Sequence, residues 1–300
     1  VDTSLVNIPV IVSDRDNRYI PGLTKEDFRL FKDGSEQKID VFSNEQAPMN
    51  IVLALDTSLS TTGVLGNIKK AAKEFVSDLD TTDRCMIVSF DFSVHELSPL
   101  TSDKDKLDSA IKQTRISKVP GTVLNDAVYH VVATTLKPIK GRKAIILLTD
   151  GKDFGSDYRQ TDLLDRLAES DTVIYPIYYD TEQRTAVRSR PFPGGMGRFP
   201  GGMGRSRGNR SGQNHTQGNE NAAAFLQKLA DITGGRFFKA KRSEMKDAFV
   251  QIADEMKRQY LVGFYPSDDA LAGTIHKVKV QVNRPDAAVR AKSEYRTQAK

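Results

Sequence analysis

The stretch Asn50-Ile51-Val52-Leu53-Ala54-Leu55-Asp56 limits the fold more than any other part of the chain. Ile51 to Leu55 are all apolar, without the alternation of a strand that has one wet face. Such a run is a strand covered on both sides, as in parallel sheets that carry helices on each face. Residues 143–149 and 172–179 repeat the pattern, and 85–91 read as a further strand. Between these runs the apolar residues move to helical spacing. Ile68, Ala71, Ala72, Phe75, Val76 and Leu79 make one stripe, and Leu124, Val128, Val131, Val132 and Leu136 make another. Leu107, Ala110 and Ile111 mark a short helix, and Leu163, Leu164 and Leu167 mark another. Alternating strand and helix predicts an α/β fold with a doubly wound, mostly parallel sheet.

Two of the buried runs end at a carboxylate, Asp56 and Asp150, and hydroxyls follow the first at Ser58 and Ser60. The carboxyl end of a buried strand is where open α/β sheets bind their ligands. These are hard oxygen donors, the kind that Mg²⁺ or Mn²⁺ prefers.

Asp56-Thr57-Ser58-Leu59-Ser60 after an apolar strand resembles the metal-ion-dependent adhesion site (MIDAS) of von Willebrand factor A domains. Two further loops complete that pattern. Pro120-Gly121-Thr122 matches the second, with Pro120 where many members have another Gly, and Leu148-Thr149-Asp150-Gly151 matches the third. The resemblance implies that Ser58, Ser60 and Thr122 bind a divalent ion through their hydroxyls, while Asp56 and Asp150 hold bound waters and orient the serines. It implies Mg²⁺, with Mn²⁺ or Ca²⁺ as alternatives, and a protein ligand whose Asp or Glu completes the ion's shell. Asp126, Asp153 and Asp157 lie close by in sequence and read as helix caps or charge tuners.

Both ends of the chain read as β. Residues 4–12, 27–32 and 37–42 alternate with turns between them, and so do 259–265, 276–282 and 289–295. Neither end can form a stable sandwich alone. The expectation is one antiparallel β-sandwich of residues 1–48 with 259–300, into which the A-type domain, 49–258, is inserted. A last helix, 243–258, striped by Met245, Phe249, Ile252 and Met256, leads back into it; this stripe reads as core. The arrangement resembles bacterial secreted proteins that carry an A domain.

Residues 184–219 hold seven Arg and no Asp, Glu or Lys, so removing them takes the net charge from +5 to −2. They include the repeat Phe192-Pro193-Gly194-Gly195-Met196-Gly197-Arg198, followed by the same seven residue types from Phe199 to Arg205. This segment reads as a disordered insertion, either without function or making weak contact with anionic surfaces. The folded body shows no basic face for nucleic acid. No apolar run is long enough to span a membrane. The chain begins at Val1 with no leader, and is expected to be a processed chain that works outside the cytoplasm, extracellular or periplasmic. Cys85 reads as a small buried hydrophobe. His95, His130, His215 and His276 have no zinc spacing, and no nucleophile elbow, Walker loop or dinucleotide fingerprint is present. The expected function is therefore non-enzymatic. Two alternatives are a Mg²⁺-dependent phosphatase with Asp56 as nucleophile, disfavoured by Ser58 where a second Asp belongs, and a scaffold whose metal site is vestigial.

Overall fold

A computed structural model of the chain describes residues 5–16, 18–45, 47–179, 181, 210–241, 243–266 and 273–297, with backbone alone for 210–217. The amino-terminal segment forms β1 (Val6–Ser13), β2 (Phe28–Lys32), β3 (Ser35–Gln37) and β4 (Val41–Ser43). Asp33 and Gly34, at φ 48° and 84°, make the tight turn between β2 and β3. The expected strand over 37–42 is two strands, because the chain leaves one sheet after Gln37 and enters another at Val41.

The middle of the chain runs β5 (Met49–Asp56), α1 (Leu65–Asp78), β6 (Arg84–Phe90), β7 (Val94–Glu96), α2 (Lys104–Gln113), α3 (Leu124–His130), β8 (Arg142–Thr149), α4 (Gln160–Ala168), β9 (Val173–Tyr178), α5 (Arg210–Thr233), β10 (Phe238–Lys239) and α6 (Met245–Lys257). The sheet order is β10-β9-β8-β5-β6-β7, parallel throughout except for β7, which lies antiparallel on β6. Every residue of β5 is buried. Ile51, Leu53 and Leu55 face a core built with α1, α2 and α6, where Phe75 and Phe249 meet at 5.1 Å. Val52 and Ala54 face a second core built with α3, α4 and α5. The helix expected to run from 124 to 136 ends at His130 and continues as a wider π-type turn, Val131–Thr135.

The carboxyl-terminal segment adds β11 (Tyr260–Phe264), β12 (Ile275–Val282), β13 (Ala288–Ala291) and β14 (Glu294–Arg296). Two four-stranded antiparallel sheets result, β13-β1-β11-β4 and β14-β12-β2-β3, each with strands from both ends of the chain. Their inner faces share one core that includes Ile8, Leu30, Tyr260, Val262, Phe264 and Tyr295. The α/β unit is thus inserted into an antiparallel sandwich. The strand expected over 289–295 is also split, since β13 and β14 belong to different sheets.

Most of the expected insertion at 184–219 lies outside the described residues, and its last part, from Arg210, is the start of α5. Among the described residues no helix is long and apolar enough to cross a membrane. Cys85 is buried, and burial raises its thiol to about 12.

A polar joint ties the sandwich to the α/β unit. The Lys292 ammonium, between β13 and β14, donates to the carbonyls of Leu167, Ala168 and Ser170 at the end of α4. Glu255 of α6 accepts from Arg236 at 3.0 Å and pairs with Arg290 of β13 at 2.7 Å. Gln259 donates to the Tyr175 hydroxyl, and its own carbonyl accepts from Arg142. Arg142 opens β8 and α4 ends just before β9 begins, so the sandwich lies at the amino ends of the central strands.

Candidate metal centre

The chain moves outward from β5 to β6 and β7, then returns to β8 on the other side of β5. The strand order therefore reverses between β5 and β8, which opens a crevice at their carboxyl ends. Asp56 is the last residue of β5, and Asp150 follows β8 directly.

Asp56 is 0% exposed. Its Oδ1 accepts from the Ser58 amide at 3.0 Å and the Ser58 hydroxyl at 2.6 Å. Its Oδ2 accepts from the Thr149 hydroxyl at 2.7 Å. Ser58 Oγ and Ser60 Oγ lie 3.0 Å apart. The first loop is held by a 3₁₀ turn, Leu59–Gly63, in which the Thr61 hydroxyl donates to the Ser58 carbonyl at 2.8 Å.

The second loop is tied to both others. The Ser117 amide donates to the Thr57 carbonyl, and Val123 donates to the Asp91 carbonyl at 2.7 Å. Thr122 and Phe154 exchange two backbone hydrogen bonds of 3.0 and 2.8 Å. Gly121 sits at φ 143°, and a Cβ there would come 2.9 Å from Phe92 Cβ. In the third loop Asp150, 2% exposed, accepts from the Lys152 amide and the Thr181 hydroxyl. Gly151, at φ 74°, turns the chain away from β8 against Ala222 and Leu226 of α5.

Burial pushes the Asp56 carboxyl up to about 7, and the Asp150 charge adds to this. The same burial and the same two carboxylates raise the Tyr179 hydroxyl well above its usual range. That hydroxyl is buried and has no hydrogen-bond partner among the described residues. Two carboxylates so enclosed, with a lysine ammonium 3.6 Å from one of them, favour a cation. The donor set suits a hard divalent ion. The 3.0 Å between the serine oxygens matches adjacent corners of an octahedron with ~2.1 Å bonds, whose edge is about 3 Å. Each serine hydroxyl can give its proton to a neighbour and keep a lone pair for the ion.

Four of the five expected residues are thus linked by side-chain contacts or charge, and Thr122 joins them through the backbone of its loop. Asp126 accepts from the amides of Asp157 and Tyr158, and Asp153 accepts from Asn125, so both brace loops as expected of capping groups. Three residues were not foreseen: Thr149, Thr181 and Tyr179. Thr149, directly before Asp150 at a strand end, had a signal in its position; Thr181 and Tyr179 had none. Among the described residues no group of three or more His, Cys, Asp or Glu is placed to hold a metal. His95, His130 and His276 instead pair singly with Asp91, Glu96 and Asp33. His215 falls where side chains are not described.

The family model of the von Willebrand factor type A domain matches residues 50–191. The chain carries a von Willebrand factor type A domain. Proximal thread matrix protein 1 of the mussel byssus, with its MIDAS motif occupied by zinc, is similar in fold. It is 16% identical with a TM-score of 0.50, over 75% of this chain and 49% of that one. An aerotolerance-related membrane protein from Bacteroides fragilis is 17% identical with a TM-score of 0.48, over 70% and 98% of the two chains. The von Willebrand factor domain of a type V pilus tip protein from Porphyromonas gingivalis is 14% identical with a TM-score of 0.46, over 70% and 95%. No curated protein matches the chain. The matched residues cover β6 to β9 of the central sheet and all but the first residue of β5.

Proposed function

We propose that the A domain is a non-enzymatic, divalent-metal-dependent module that captures an acidic residue of a partner protein. Ser58, Ser60 and Thr122 would hold the ion, and Asp56 and Asp150 would orient them and carry the balancing charge. The ion supplies an electrophilic centre with room for one more oxygen. The single observation that carries this reading is the bonded set Asp56–Ser58–Ser60 at the strand-order reversal, with Asp150 charged beside it. Because the nearest donors are neutral hydroxyls, the bound ion would keep its attraction for an incoming carboxylate. Both Asp56 oxygens are already engaged and fully buried, which argues against Asp56 as a phosphate-accepting nucleophile. We place the protein outside the cytoplasm and divide it into a binding domain, 49–258, carried on a sandwich of 1–48 with 259–300.

Calorimetric titration of metal-stripped protein with Mg²⁺, Mn²⁺, Ca²⁺ and Zn²⁺ tests this. The parent is expected to bind at least one ion at a single site, and Ser58→Ala with Ser60→Ala is expected to bind none. A folded parent that takes up no ion would mean the metal site is vestigial.

A further inference from the structure

Eight large hydrophobic side chains are prominently exposed among the described residues, and they are not scattered evenly. Leu59 (45%), Phe92 (49%), Val119 (48%) and Phe154 (74%) all stand on the loops that surround the metal centre. Singly exposed apolar residues need no explanation, but a contiguous group of them marks a binding surface. Three of them are fixed at or beside a proposed ligand, and Val119 is tied through Ser117 to Thr57, between Asp56 and Ser58. Leu59 lies between Ser58 and Ser60. Phe154 is paired through its backbone with Thr122. Phe92 packs at Gly121, where a side chain would collide with it. The Val119 amide donates to the Ser117 hydroxyl, and the Ser117 amide donates to the carbonyl of Thr57. The rim is therefore held by the same hydrogen bonds that build the centre, and little ordering is left for a partner to cause.

Resting on the metal-dependent reading above, we propose that the captured Asp or Glu is flanked by apolar side chains, which settle on Leu59, Phe92, Val119 and Phe154. Charge selects the occupant. An ion held by neutral hydroxyls attracts one carboxylate at the middle of the rim, and Lys118 is exposed on the same loop as Val119. Asp153 and Asp157, exposed on the third loop, oppose a continuous anionic surface such as an acidic membrane. A protein segment that offers a single carboxylate between apolar neighbours meets both conditions.

Three peptides test the proposal: acetyl-Gly-Phe-Asp-Leu-Gly-amide, acetyl-Gly-Gly-Asp-Gly-Gly-amide, and the first with Asn in place of Asp. Each is titrated into the full chain with saturating Mg²⁺ or with chelator, for the parent, Phe154→Ser and Phe92→Ser. The Phe-Asp-Leu peptide is expected to bind the Mg²⁺-loaded parent at least about tenfold more tightly than the Gly-Asp-Gly peptide. Either serine variant is expected to bring the two affinities together, with its Mg²⁺ affinity and circular dichroism unchanged. Chelator-sensitive binding that is equal for the two acidic peptides would overturn the rim proposal and leave metal capture standing. Equal binding of the Asn and Asp peptides, or no binding of either acidic peptide, would overturn both. Mg²⁺-dependent self-association, or adsorption to phosphatidylcholine vesicles, lost in Phe154→Ser would assign the rim to a second copy or a lipid surface and overturn the stated occupant.

Discussion

Asp56 combines full burial, a second carboxylate beside it, and neighbours that are mainly hydroxyls. The folded protein holds its proton up to about pH 7, whereas the unfolded chain releases it near 3.8. Between those values the folded state binds more protons, so the stability from this group is complete below 3.8 and is lost as pH rises through 7. In chelator, the melting temperature of Asp56→Asn minus that of the parent should therefore widen from pH 4 to pH 7. Saturating Mg²⁺ should narrow the gap by stabilising the parent alone. Thermal melts across pH measure both, and a difference that stays flat with pH would show that Asp56 ionises normally. The acids and hydroxyls of the candidate site were named from the sequence, Asp56, Ser58, Ser60 and Asp150 by their place at strand ends and Thr122 by the family resemblance. Phe92 and Phe154 were not, since the sequence does not distinguish an apolar side chain in the core from one on the rim of a site.

At the scale of elements, the unalternating strands and helical stripes gave the central sheet almost residue for residue. Two of the departures share one cause. Residues 37–42 and 289–295 each read as one alternating strand, yet each is two strands in different sheets. Both sheets of a sandwich bury their inner face, so a chain that crosses from one to the other keeps its alternation of period two. The pattern therefore reports the face of a residue and not its sheet. Lys292 marks the second crossing. Burial draws its ammonium down to about 8, while three carbonyls at the end of α4 gather around it. Those carbonyls lie at the negative pole of the helix, where a cation is favoured. Lys292→Met keeps the bulk of the side chain and leaves them without this partner. The expected loss of stability is about 2–3 kcal/mol, measured by urea unfolding; a loss under about 0.5 kcal/mol would mean the joint does not depend on this residue.

For the whole molecule, the joint decides whether there are one or two cooperative units. Arg290, Arg236 and Glu255 join the sandwich to α6, Lys292 joins it to α4, and Gln259 joins it to β8 and β9. Scanning calorimetry of the full chain is expected to give a single transition, and residues 49–258 alone are expected to melt at a lower temperature. Two separate transitions in the full chain would show that the joint is energetically slack. The sandwich and the candidate metal centre occupy opposite ends of the central strands, with Met49 at one end of β5 and Asp56 at the other. Pulling on a captured partner while the sandwich is held would thus load β5 lengthwise. Its ladders to β6 and β8 would then be sheared, with all their hydrogen bonds resisting at once, and not peeled open one by one. On that reading the central strand, bonded along both edges, would carry the load between the proposed grip and its anchor.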